Sequence, residues 1–90
     1  MIIVWDEPKR LANLDKHGLD FADLNETFFD NALVIPSHNK SKRWIAIGVS
    51  IRGVVVVVFA RLGREGVSII SMRSASRGER TNSDGNRPDD

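Results

Sequence analysis

The run Val54-Val55-Val56-Val57-Val58-Phe59 constrains the fold of this chain more than any other feature. β-Branched and aromatic side chains favour extended backbone, and successive residues of a strand point to opposite faces of a sheet. An unbroken apolar run therefore needs cover on both faces, since an exposed strand of this composition would aggregate. It predicts a central strand over residues 53–61. A turn at Arg52-Gly53 leads into it, and the hairpin turn Gly63-Arg64-Glu65-Gly66 leads out to a last strand over 67–73.

The flanking sequence supplies the partners. Residues 43–50 alternate, with Ile45, Ile47 and Val49 on one side and Trp44, Ala46 and Gly48 on the other. Residues 32–36 form a short strand that ends at a proline, which suits an edge. Ile2 to Trp5 is a short run of strand formers. Asp6 is placed to cap a helix beginning at Glu7-Pro8 and running to His17, with Gly18 as its stop. Asp20 caps a second helix in which Phe21, Leu24 and Phe28 follow helical spacing, ending at Asp30-Asn31. Residues 37–42 read as a polar loop, and 74–80 as a short helical turn. Residues 81–90 hold no apolar side chain and are expected to be a disordered polar tail. The expected architecture is α+β: a small sandwich in which an antiparallel β-sheet carries two N-terminal helices on one face, in one domain over residues 1–80.

Composition narrows the chemistry. The chain has 90 residues and no cysteine, which removes disulfides, thiolate metal sites and a cysteine nucleophile. No apolar run approaches the roughly 18–20 residues that span a bilayer. Met1 to Asp6 turns acidic at once and lacks a basic leader, so a cytoplasmic location without membrane contact is expected. His17 and His38 do not have metal-ligand spacing, and no P-loop or nucleophile elbow occurs, so neither metal nor cofactor is expected. The net charge of +1 hides an asymmetry. Residues 1–35 carry three basic and seven acidic side chains, whereas residues 36–80 carry nine basic and two acidic ones. The second stretch is a candidate surface for a polyanion, unless folding sets the two halves against each other.

Two groups of residues stand out for chemistry. On the first helix Lys9, Asn13, Lys16 and His17 fall within an arc of about 100°, apart from the stripe of Leu11 and Leu14. A solvated face ending in a histidine that favours the negative helix end accounts for the same stripe. The second group is Arg61 and Arg73, each closing a strand of the hairpin, followed by Ser74-Ala75-Ser76-Arg77-Gly78-Glu79-Arg80. Guanidinium forks suit phosphate, with hydroxyls assisting. Stems of exposed arginines covering apolar surface are the plainer account. A hairpin also sets Arg61 and Arg73 at opposite ends of the sheet.

Three motifs in this order carry a family resemblance. Trp5-Asp6, Lys9, Asn13, Lys16-His17-Gly18 and Phe21 spell W-D-x-x-K-x-x-x-N-x-x-K-H-G-x-x-F. Arg43 and Gly48 give R-x-x-x-x-G, and residues 70–80 give I-S-x-R-x-A-S-R-x-E-R. Over residues 1–80 the chain resembles the BrnT toxins of bacterial type II toxin–antitoxin systems. Two departures are a Met at position 72, where a small residue is common, and the polar run Thr81 to Asn86, where an aromatic residue and a helical tail usually follow.

The resemblance implies a RelE-like ribonuclease that blocks translation by cutting RNA. It implies a BrnA-like antitoxin with a ribbon-helix-helix domain, bound in a heterotetramer that reaches operator DNA only through the antitoxin. Lys16, His17, Arg61 and Arg73 match the positions carried over as catalytic. Lys9, Asn13, Arg43, Ser76, Arg77 and Arg80 are the expected RNA-binding set. Metal-independent cleavage by the 2′-OH would use Lys16 or His17 for proton transfer and the arginines for phosphate charge. The alternative reading is a non-catalytic nucleic-acid- or antitoxin-binding module acting as an operon co-repressor.

Overall fold

The computed structural model describes residues 1–37 and 42–76. Five strands form one sheet: β1 (Ile2–Trp5), β2 (Leu33–Pro36), β3 (Arg43–Ser50), β4 (Gly53–Leu62) and β5 (Gly66–Ser74). Their spatial order is β1-β5-β4-β3-β2, which puts the valine-rich strand at the centre and β2 at an edge. Val55, Val56, Val57 and Phe59 are all buried, on alternating faces. β2–β3, β3–β4 and β4–β5 pair antiparallel, while β1 runs parallel to β5 from Ile2↔Gly66 to Trp5↔Ile69. The sheet is therefore mixed rather than wholly antiparallel. β1 forms one edge of the sheet beside β5, and Ile3 and Trp5 pack on the core.

Helix α1 (Glu7–His17) has the expected boundaries. The Asp6 side chain accepts from the Lys9 N–H at 3.3 Å, and Gly18 closes the helix in the left-handed conformation at φ 70°. The second helical segment departs from the expected continuous helix. Asp20 caps only a short 3-10 turn, Phe21–Asp23, by accepting from the Ala22 N–H at 2.9 Å. Leu24 is extended, and Asn25 caps a new helix, α2 (Glu26–Asn31), by accepting from the Phe28 N–H at 2.8 Å. Asn competes for backbone donors and favours a cap over a helix interior, which breaks the element there. Phe21, Leu24 and Phe28 are nevertheless all buried. The break keeps them on the core while turning α2 onto β3.

The core lies between the helical layer and one face of the sheet. It joins Leu19, Phe21, Phe28 and Phe29 to Ala46, Val55, Val57, Phe59, Val67, Ile69 and Met72. Phe29 meets Phe59 edge-on at 5.3 Å, and Trp5 meets Phe21 at 6.4 Å. Gly48 is required by close approach: a Cβ there would lie 3.0 Å from a ring carbon of Phe28 and 3.1 Å from the Ala32 Cβ. The R-x-x-x-x-G spacing thus marks where α2 rests on β3. Met72 is fully buried, so the larger side chain at this position fills the core.

The β4–β5 register contains an irregularity. Val58 pairs with Ser71 and Phe59 with Ile69, so Ile70 is an extra residue in β5. A bulge of this kind shifts the alternation of everything beyond it. Ile69 and Met72 both face the core, and Ser71 and Arg73 lie on the other face, opposite Val58 and Val56. Simple alternation puts Arg73 with Ile69, and the bulge reverses that. β5 ends at Ser74. The Ala75 N–H then donates to the Val54 carbonyl at 3.0 Å, in place of the start of a helical turn. The expected tail over 81–90 lies outside the described residues.

Candidate active site

α1 holds its site residues in an unusual way for a surface helix. Its one buried residue is Asn13, while Leu11 and Leu14 are 52% and 37% exposed. The helix therefore does not dock through its leucine stripe. The Asn13 amide donates from Nδ2 to the Leu19 carbonyl at 3.1 Å, and its Oδ1 accepts from the Met72 N–H at 3.0 Å. β1 pairs with β5 only as far as Ile69, and from there α1 takes over the outer edge of the strand.

The N-terminal turn is fixed by charge. Arg10 donates to Glu7 at 2.8 Å and to both oxygens of Asp20 at 2.9 and 3.0 Å, and the Trp5 indole N–H donates to Glu7 at 3.0 Å. Hydrogen bonds from Arg10 and Trp5 hold the Glu7 carboxyl at about 2. The Ala22 N–H and then Arg10 hold Asp20 below its ordinary value. Arg10 is thus engaged at the start of α1, and the other basic side chains of this helix are Lys9, Lys16 and His17.

Lys9, Lys16 and His17 meet Ile70 and Ser71 around an open recess of about 280 Å³. The recess lies where the bulge of β5 meets α1. Arg73 is two residues further along the strand on the same face as Ser71, and one of its guanidinium nitrogens donates to the Ser74 carbonyl at 3.3 Å. Two amines, an imidazole and a hydroxyl thus line the recess, with a guanidinium borne two residues further along β5. This set offers groups that can give and take a proton and donors that suit phosphate oxygens. Ser71 was legible as part of I-S-x-R but received no role from sequence. A larger cavity of about 510 Å³ lies beneath α2, between Asp23, Asn25 and Ile51, and among the described residues no basic side chain lines it.

The other expected residues are placed elsewhere. Arg61 lies opposite Val67 and Arg73 opposite Val56, five positions apart along β4, or about 17 Å at strand rise. They also point to opposite faces. The Arg61 guanidinium stacks 5.5 Å above the Trp44 ring, so the structure does not bring the two arginines into one site. Arg43 begins β3 beside Ala60, at Arg61's end of the sheet. Ser76 follows β5 and is exposed. Arg77, Glu79 and Arg80 lie outside the described residues, as does His38. Among the described residues no group of three His, Asp or Glu could hold a metal, and no helix is long and apolar enough to cross a membrane.

The family described as "Ribonuclease toxin, BrnT, of type II toxin-antitoxin system" matches residues 5–79. The crystal structure of the Brucella abortus ribonuclease toxin BrnT is similar, at 51% sequence identity and a TM-score of 0.78. The match covers 86% of this chain and 99% of that one. No curated protein matches the chain. The matched residues span both the helix that carries Lys16-His17 and the strand that carries Ser71 and Arg73, and the chain belongs to the BrnT family of type II toxin–antitoxin ribonuclease toxins.

Proposed function

We propose that this chain cleaves RNA at the edge formed by α1 and β5, without a metal ion, and blocks translation by doing so. The observation that carries this reading is the convergence of Lys9, Lys16 and His17 on Ser71, with Arg73 next along the same face. In the reaction the 2′-OH of a ribose attacks the adjacent phosphorus in line. The bond from O2′ to phosphorus forms and the bond from phosphorus to O5′ breaks. The products are a 2′,3′-cyclic phosphate and a 5′-OH. Lys16 or His17 takes the 2′ proton, the other returns a proton to O5′, and Arg73 steadies charge on the phosphoryl oxygens. Lys9 guides the backbone of the incoming strand. Arg61 and Arg43, at the far end of the sheet, contact RNA away from the scissile bond, and Ser76, Arg77 and Arg80 extend the contact past β5.

The toxin acts in the cytoplasm and is held inactive by a BrnA-like ribbon-helix-helix antitoxin in a heterotetramer. The antitoxin supplies the contact with operator DNA. The test is to incubate antitoxin-free protein with end-labelled RNA in EDTA, beside Arg73→Ala, and to identify the fragment ends. Cyclic phosphate ends from the unsubstituted chain alone support the reading. RNA bound but uncut would favour the alternative, a non-catalytic binding module and co-repressor.

A further inference from the structure

Asn13 was expected to touch RNA, yet both ends of its amide are engaged by backbone groups in a buried position. We infer that Asn13 is a positioning residue: it locks α1 to the β5 bulge and so sets Lys16 and His17 against Ser71 and Arg73. The inference rests on the ribonuclease reading of this site.

Three observations support it. First, Ser71 and Arg73 share a face as alternate residues, and the bulge at Ile70 is what turns that pair away from the core face of Ile69. Second, among the described residues the bulge has no strand on its outer side. β1 stops at Trp5↔Ile69, and the Met72 N–H, two residues beyond the extra residue, is taken by Asn13 instead. The bond joins positions 59 residues apart, so no local constraint substitutes for it. Third, Lys16 and His17 are three and four residues after Asn13, which places them one helical turn from the clamp on neighbouring stripes. The second bond, to the Leu19 carbonyl, ties the chain just after the Gly18 cap to the same amide. One side chain thus fixes the strand that carries the anion-binding groups, the helix that carries the proton-transfer groups, and the exit of that helix.

The chemistry of the clamp suggests its test. The position needs one donor and one acceptor. Alanine supplies neither. An ionised aspartate accepts from Met72 but cannot donate to Leu19, whereas a protonated aspartic acid does both. Full-length Asn13→Ala and Asn13→Asp would be compared with the unsubstituted chain below their melting temperatures, for RNA cleavage as a function of pH. For Asn13→Ala the expected result is a fall in kcat of about 10–100-fold with KM for RNA nearly unchanged, as for a misplaced catalytic group. For Asn13→Asp, kcat relative to the unsubstituted chain should rise as pH falls through the titration of the new carboxyl. The Asn13→Ala ratio should stay flat across the same range.

A raised KM with kcat unchanged would make Asn13 an RNA contact and overturn the inference. Full kcat in both folded variants would reduce it to a packing role. Should Asn13→Ala not fold, the pH dependence of Asn13→Asp decides. Hydrogen exchange at the Met72 amide separates this inference from the reading it rests on. An unsubstituted chain that cuts no RNA sinks the ribonuclease reading. Exchange at Met72 as slow in folded Asn13→Ala, which has no acceptor, as in the unsubstituted chain sinks the clamp, whichever way activity falls.

Discussion

Arg61 and Arg73 close the two strands of one hairpin yet lie at opposite ends of it and on opposite faces, because Arg61 pairs with Val67, Arg73 pairs with Val56, and a bulge falls between. Arg73 stands beside Ser71 at the α1 edge, and Arg61 stacks on Trp44. Removing each should therefore have a different kinetic signature. Arg73→Ala is expected to lower the rate at saturating RNA by about 10²–10³-fold, the loss typical of a group that stabilises transition-state charge. Arg61→Ala should leave that rate within a few-fold and act mainly on KM. Single-turnover cleavage of a short RNA distinguishes the two, and equal losses in kcat would place both arginines at the reacting phosphate.

The carboxylates around Arg10 give the fold a defined acid limb. Glu7 is held at about 2 against an ordinary value of 4.5, first by its hydrogen bond from Arg10 and then by that from Trp5. A carboxyl whose folded value is depressed stabilises the protein above its unfolded value, and that contribution is lost as pH falls through the folded value. Stability should thus decline between about 4.5 and about 2, with Asp20, also depressed, adding to the slope. Denaturant melts of Glu7→Gln across this range should show a shallower decline. An acid limb of undiminished slope in the variant would remove Glu7 from the account.

The leucine stripe of α1 makes a stability prediction opposite to the one its pattern suggests. Leu11 is 52% exposed, whereas Phe21 is fully buried against the sheet. Leu11→Ala should change stability by no more than about 0.5 kcal/mol, as for surface substitutions generally. Phe21→Ala should cost about 3–5 kcal/mol, as for a large aromatic removed from a packed core. Chemical denaturation of both variants checks the contrast. A loss of several kcal/mol from Leu11→Ala would mean that the stripe is covered in solution.

These cases show what kind of information local patterns carry. The central strand, its hairpin, the edge strand and both ends of α1 follow from apolar runs, caps and glycines, all of which act within a few residues. What local patterns missed depends on contacts distant in sequence. The parallel pairing of β1 with β5 joins the two ends of the described sheet and has no turn to announce it. The extra residue at Ile70 follows from fitting Ile69 and Met72 into the same core, which period-two alternation does not foresee. The Asn13 clamp belongs with these. The W-D-x-x-K-x-x-x-N-x-x-K-H motif marks the residue, but its polar stripe predicts exposure, and the partner that buries it, Met72, lies 59 residues away. The break at Leu24-Asn25 was nearer to hand, since Asn25 is itself a cap, but the helical spacing of the buried residues masked it.

Gly48 shows how one motif position serves packing rather than chemistry. Its backbone needs no left-handed conformation, and its constraint is the 3.0 Å approach that a Cβ would make to the Phe28 ring and the 3.1 Å approach to the Ala32 Cβ. Neither neighbour is a flexible chain end. Phe28 is buried beside Phe29 in the core, and Ala32 begins the turn from α2 into β2. Gly48→Ala should therefore overpack this contact and destabilise the protein by about 1–3 kcal/mol. The proposed cleavage site lies at the other helix, α1, so a folded Gly48→Ala chain should cut RNA at the unsubstituted rate. The pairing Gly48→Ala with Phe28→Leu should recover part of the loss, because a smaller side chain makes room for the methyl group. Melting the two single variants and the double variant side by side measures that coupling. Strict additivity would mean that the ring of Phe28 does not set the limit at Gly48.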